Sequence, residues 1–168
     1  MTQSRNRTIA LAGLLTACGI LFGYIEFLFP LPIGIPGVKL GISNVITLLC
    51  LFCLSPQMAG AVLTLRVVMS GILFGNFFGL VYSLSGAVVS FWAMYGAYRL
   101  KKFSVIGISI VGGVAHNLTQ LAVACLVVSE LKMIYYMPIL LISGLLCGLV
   151  VGILGNILTP RIEQILRK

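Results

Sequence analysis

Nine polar side chains stand in stretches otherwise apolar enough to enter lipid: Glu26, Lys39, Asn44, Arg66, Tyr82, Ser83, His116, Asn117 and Gln120. A charged residue at the centre of a spanning helix costs about 2.5–3.5 kcal/mol on insertion scales, so such residues usually face a cavity or a partner. Arg66 is the deepest, mid-way along its apolar run and too far from either end for easy snorkelling. His116 and Gln120 are spaced i, i+4 and share a helix face, and Gly112-Gly113, one turn earlier, leave room beside the imidazole. Ser83 belongs to a small-residue stripe, Gly79, Ser83, Gly86 and Ser90, with Tyr82 alongside. This set recognises a molecule; it does not transform one. Arg66 and Lys39 suit an anionic or polar head, His116, Asn117 and Gln120 orient it, and the surroundings accept an apolar body. Other readings stay open. Arg66, Lys39 and Glu26 can form a structural ion pair, His116 can be a satisfied core imidazole, and the glycines can simply let helices approach.

Reactive chemistry lacks its parts. The three acids are all Glu (Glu26, Glu130, Glu163), so an aspartate-rich magnesium-diphosphate site cannot form. There is no Gly-x-x-x-x-Gly-Lys phosphate loop, no Ser-His-acid set at a matched depth, and one His without Asp makes no plausible metal cluster. The expectation is no catalytic residue, no metal and no cofactor. Cys50-x-x-Cys53 has the spacing of a redox or zinc half-motif, but no second ligand pair accompanies it, and all five Cys lie inside apolar runs, where Cys is a common filler.

The elements that must position these residues follow from composition. In 168 residues, 60 % are hydrophobic and only 8 % charged, against about 25 % charged in soluble domains. Mean hydropathy is +1.17. A soluble globule, a disordered chain and a nucleic-acid-binding domain are excluded, and a polytopic membrane protein remains. Charges, prolines and loop residues divide the chain into six apolar runs, about 8–29, 40–54, 57–75, 78–98, 104–128 and 134–158. In lipid such runs must be helical, because every backbone polar group has to be satisfied internally. The expected architecture is one all-α integral membrane domain, 1–168, of six transmembrane helices. Asn76 is expected to cap the outer end of the third span, and the sixth to end at Thr159-Pro160.

The net charge of +8 is a topology signal. With both termini cytoplasmic, Arg5, Arg7, Arg99, Lys101, Lys102, Arg161, Arg167 and Lys168 fall inside, eight of the eleven basic residues, as the positive-inside rule requires. The first outer loop, 30–39, holds three prolines and two glycines yet stays largely apolar, which reads as a lid or partly re-entrant segment; a tight connector is the plainer alternative. On the first span, Ala10, Gly13 and Ala17 form a small-residue face, with Ala12 and Thr16 one position round. The small-xxx-small pattern Gly13-x-x-x-Ala17 permits close helix contact at the cytoplasmic end.

Four blocks together resemble one family: Pro36-Gly37-Val38-Lys39-Leu40-Gly41-Ile42-Ser43-Asn44; Arg66; Tyr82-Ser83-Leu84-Ser85-Gly86 with Ser90; and Gly112-Gly113-Val114-Ala115-His116-Asn117 with Gln120. That family is the bacterial Gx transporter family, also labelled heptaprenyl diphosphate synthase component I, which resembles the substrate-binding S components of energy-coupling factor (ECF) transporters. The resemblance covers nearly the whole chain. It implies a six-helix S-component bundle in the bacterial cytoplasmic membrane, with the first outer loop as lid. It further implies that Ala10, Gly13 and Ala17 contact a transmembrane coupling subunit that works with ATPases. Gly13-x-x-x-Ala17 stands where Ala-x-x-x-Ala is usual. Two functions follow. One is capture of a small amphipathic or anionic molecule for an ATP-driven importer, an isoprenoid or quinone precursor being one such molecule. The other is a non-catalytic membrane subunit of a heptaprenyl diphosphate synthase or quinone-biosynthesis complex. The partners implied are a small-molecule substrate, the coupling subunit with its ATPases, and membrane lipid, with no nucleic acid.

Overall fold

The computed structural model describes residues 2–28 and 41–167. They fold entirely into helices: α1 (Thr2–Leu28), α2 (Asn44–Cys53), α3 (Pro56–Phe74), α4 (Phe77–Arg99), α5 (Val105–Val128), a 3-10 segment Leu131–Tyr136, and α6 (Met137–Arg167). Five of these are long and apolar enough to cross a membrane. They expose large apolar side chains such as Leu21, Ile72, Leu126 and Leu146 on the outside of the bundle. The protein is a multi-pass membrane protein.

The second expected span is different. Its helix has 10 residues, a rise of about 15 Å at 1.5 Å per residue, roughly half the hydrocarbon thickness. Every side chain from Asn44 to Leu51 is buried. A helix that is apolar all round and hidden on every side belongs to a core, and α2 packs against α1, α3, α4 and α6. It runs through the core, from Ser43 beside Glu26 to Phe52 against Tyr98 and Cys53 against the Thr159 carbonyl.

Short polar signals set the starts of three helices. Ser55 Oγ accepts from Met58 N–H at 3.2 Å, with Pro56 in the first turn, where its missing N–H costs nothing. Asn76 Oδ1 accepts from Gly79 N–H at 2.7 Å, so Asn76 opens α4; it does not close α3 as expected. Ser104 Oγ accepts from Gly107 N–H at 3.2 Å. At the expected end of the last span, Thr159-Pro160, the helix does not stop: α6 continues through Pro160 to Arg167. The helix gives up one hydrogen bond at Pro160. Thr159 Oγ1 donates to the Gly155 carbonyl at 2.7 Å within the same turn.

Glycine controls the seam between α5 and α6. A Cβ on Gly113 would run into the Gly144 carbonyl oxygen, and one on Gly148 would stand 2.7 Å from Ile110 Cα. Gly152 meets Ile106 Cα in the same way, at 2.7 Å. Here the two backbones touch directly, with no side chain between them. Asn117 Nδ2 donates across this seam to the Leu140 carbonyl at 3.0 Å.

With these turns the chain runs back and forth. One end of the bundle carries the end of α1, the start of α2, the end of α3 and the start of α4. The opposite end carries Arg7, Arg99, Lys101, Lys102 and Arg161. Segment 29–40, with Lys39 and the expected lid, lies outside the described residues.

Candidate functional site

A cavity of about 530 Å³ opens at the end away from Arg7, Arg99, Lys101, Lys102 and Arg161. This is within the roughly 300–1,000 Å³ of small-molecule sites. Four helix ends and the middle of a fifth helix build it. The end of α1 contributes Glu26 and Phe27, and the start of α2 contributes Ser43 and Asn44. From α3 come Arg66, Val67, Ser70 and Phe74, from α4 Gly79, Ser83 and Ala87, and from α5 His116.

The polar floor is a relay through Ser43. Arg66 Nη1 donates to Ser43 Oγ at 2.8 Å, and Ser43 Oγ donates to Glu26 Oε2 at 3.2 Å. Glu26 Oε1 accepts from the Ile42 N–H. A carboxylate from α1 thus satisfies a backbone donor just ahead of α2, where a helix N-terminus favours negative charge. Arg66 Nη2 donates to Asn44 Oδ1 at 2.9 Å and to Thr47 Oγ1 at 3.3 Å. Of five guanidinium N–H groups, three are engaged in this way, and Nε has no hydrogen-bond partner among the described residues. Arg66 and Glu26 are therefore linked through a hydroxyl, which absorbs much of the ion-pair reading while leaving Arg66 donors to spare.

The backbone is shaped for this arrangement. Gly41 has φ +75°, a left-handed conformation that costs an L side chain about 1–2 kcal/mol. Gly19 lies under the Arg66 stem, since a Cβ there would be 2.8 Å from Arg66 Cδ. Gly23 faces the Ser70 hydroxyl in the same manner, at 3.1 Å.

Of the nine residues singled out from the sequence, Glu26, Asn44, Arg66, Ser83 and His116 line this one cavity. Lys39 falls outside the described residues. Tyr82 is half-buried and does not line it, and Asn117 is turned toward α6. Gln120 is buried and its Cγ would lie 3.1 Å from a Cβ on Gly86; it too is absent from the lining. Its amide oxygen and nitrogen have no hydrogen-bond partner among the described residues. The glycine readings are revised as well. Gly112 packs against Met94, and Gly113 against Gly144, so they make room for neighbouring helices; Gly86 is the glycine beside His116. The α4 stripe divides: Gly79 and Ser83 face the cavity, while Ser90 Oγ donates to the Gly112 carbonyl at 2.8 Å.

The family model described as heptaprenyl diphosphate synthase component I matches residues 15–158. The chain belongs to that family. No curated protein and no solved structure matches it. The matched stretch contains every residue that lines the cavity. Three polar lining residues, Ser43, Ser70 and Asn76, are not among the nine singled out from the sequence. Ser43 was signalled by its place beside Asn44, and Ser70 by its i+4 spacing from Arg66.

The small-residue face of α1 also divides. Ala12 and Thr16 are buried, whereas Ala10, Gly13 and Ala17 are exposed. A Cβ on Gly13 would meet nothing within 4 Å.

Proposed function

We propose that this protein is the membrane-embedded substrate-binding subunit of an ECF-type ATP-driven importer and captures a small amphipathic or anionic molecule. The observation that carries the reading is the cavity with a polar floor, opening at the pole opposite Arg7, Arg99, Lys101, Lys102 and Arg161. With the basic end cytoplasmic, both termini are inside and the mouth faces outward, where a capture subunit meets its substrate. The membrane is then the bacterial cytoplasmic membrane. The exposed Ala10, Gly13 and Ala17 face supports a docking role, since small residues let a partner's helix come close. We read the chain as non-catalytic, because without aspartate it has no means of holding magnesium-diphosphate in the usual manner. The ligand would be of isoprenoid- or quinone-precursor size, held by Arg66 with Asn44, Ser83 and His116 around it.

A second reading is favoured by the family description itself: a non-catalytic membrane subunit of a heptaprenyl diphosphate synthase or quinone-biosynthesis complex. Co-purification from membranes of cells expressing tagged protein separates the two. The importer reading expects a transmembrane coupling subunit and ATPases, and expects Gly13→Leu with Ala17→Leu to remove them while ligand retention by the solitary protein persists. Recovery of a prenyl synthase, unaffected by that double change, would overturn it.

A further inference from the structure

A second concavity lies at the opposite, basic end of the bundle. It is a groove of about 430 Å³ between the start of α1 and the end of α6, lined by Arg7, Ala10, Leu11, Leu14, Ile165 and Leu166. The four α1 residues are spaced i, i+3, i+4, i+7 and form one stripe along the helix. Leu14 and Ile165 are 61 % and 62 % exposed, and Arg7 stands exposed at the end of the stripe.

Helix length sets the depth of this groove. α6 has 31 residues, a rise of about 46 Å at 1.5 Å per residue, against about 30 Å of hydrocarbon. Its last turns carry Arg161, Glu163 and Gln164 and therefore stand among the headgroups. Ile165 and Leu166 are apolar side chains at that depth, where contact with water is unfavourable unless something covers them. The local charge has one dominant sign. Segments 1–14 and 155–168 hold five cations, Arg5, Arg7, Arg161, Arg167 and Lys168, against the single anion Glu163. That count takes in every residue of both segments.

We propose that the α1–α6 groove binds an anionic phospholipid of the leaflet at the basic end, with its phosphate on Arg7 and an acyl chain along the apolar stripe. Basic pockets between membrane helices hold anionic headgroups in this way. A soluble anion would leave the apolar lining uncovered, and a zwitterionic lipid would bring a further cation to a site that is already basic. The site stands apart from the capture reading. It meets the docking face through Ala10 alone, since Gly13 and Ala17 do not line the groove.

The test uses the detergent-purified full chain, stripped of lipid and titrated with dioleoyl phosphatidylglycerol, dioleoyl phosphatidylcholine or glycerol phosphate. Native mass spectrometry counts retained lipid, and the thermal midpoint reports stabilisation. Phosphatidylglycerol should be retained about fivefold or more over phosphatidylcholine, and glycerol phosphate should do nothing. Arg7→Gln should lose about fivefold for phosphatidylglycerol and nothing for phosphatidylcholine. Lys102→Gln removes the same charge between α4 and α5 and should change neither. Ala10→Phe fills the groove from an exposed position and should abolish retention of phosphatidylglycerol while the lipid-free midpoint holds. Equal retention of the two lipids, or equal losses in Arg7→Gln and Lys102→Gln, would reduce the effect to general attraction and overturn the site. Undiminished phosphatidylglycerol on a folded Ala10→Phe protein would do the same. If Ala10→Phe does not fold, Arg7→Gln against Lys102→Gln decides alone. Protein that retains phosphatidylglycerol when solitary but loses it when recovered with a coupling subunit would assign the groove to that partner and overturn the lipid reading.

Discussion

Replacing Arg66 by alanine tests the floor of the cavity. The guanidinium makes three hydrogen bonds, to Ser43, Asn44 and Thr47, all of which are buried. A hydrogen bond to a charged group contributes about 1.5–3 kcal/mol, but three on one side chain do not add independently. The more secure comparison is removal of one partner from a buried charged pair, about 3–5 kcal/mol, because Glu26 keeps its charge while its counter-charge is gone. Arg66→Ala should therefore lose about 3–5 kcal/mol. Arg66→Lys should recover only part of it, since a single ammonium cannot reproduce the planar fork that reaches Asn44 and Ser43 together. Arg66→Met combined with Glu26→Gln removes both charges at similar volume and should be more stable than Arg66→Ala. Denaturant unfolding in mixed micelles, followed by circular dichroism, supplies the numbers. An Arg66→Ala protein within about 1 kcal/mol of the original would refute the relay, as would a double variant no better than the single one.

Three further outcomes follow from the packing. Gly148→Ala, whose Cβ would stand 2.7 Å from Ile110 Cα, should lower the thermal midpoint sharply, whereas Gly96→Ala, with nothing within 4 Å, should leave it unchanged or raise it. Gly41→Ala should cost about 1–2 kcal/mol through its left-handed backbone, and Gly41→Asn less, because Asn tolerates that conformation; the same unfolding assay ranks them. In a background without native Cys, Leu131→Cys should react with an impermeant thiol reagent applied outside intact cells and Leu100→Cys should not, and the reverse pattern would invert the proposed orientation.

Composition and charge made the membrane class and the helical spans legible, because lipid leaves the backbone few options. The polar set was legible for a related reason: Glu26, Asn44, Arg66, Ser83 and His116 stand out only against apolar neighbours, and five such residues converge on one cavity. The same contrast misled elsewhere. Asn117 is equally conspicuous, yet it serves the α5–α6 seam, because a hydrogen bond across a helix pair relieves a polar group as well as a cavity does. Hydropathy could not show that the helix of α2 has only 10 residues and is buried along most of its length. Its run of 15 apolar positions is compatible with a tilted crossing, and only the burial of all its faces distinguishes a core helix from a lipid-facing one. Pro160 ends the apolar run, and spacing could not show that the helix continues past it to Arg167 with the loss of one hydrogen bond. The exposed and buried halves of the α1 small-residue face could not be separated by spacing, since Ala12 and Gly13 are adjacent.

The glycine seam implies a division of labour around the cavity. Where Gly113, Gly144, Gly148 and Gly152 bring two backbones together, no rotamer can relax to let the helices slide. The α5–α6 pair should behave as one stiff slab, the last part of the protein to exchange its amide hydrogens. The opposite wall is packed through side chains: the Arg66 stem over Gly19, Leu80 over Gly71, and Ser70 against Gly23. A molecule entering the cavity would find His116 on the backbone-packed surface and Arg66 on the side-chain-packed one. Accommodation to ligands of different width would then be the task of α1, α3 and α4, with the slab serving as the anvil against which they close.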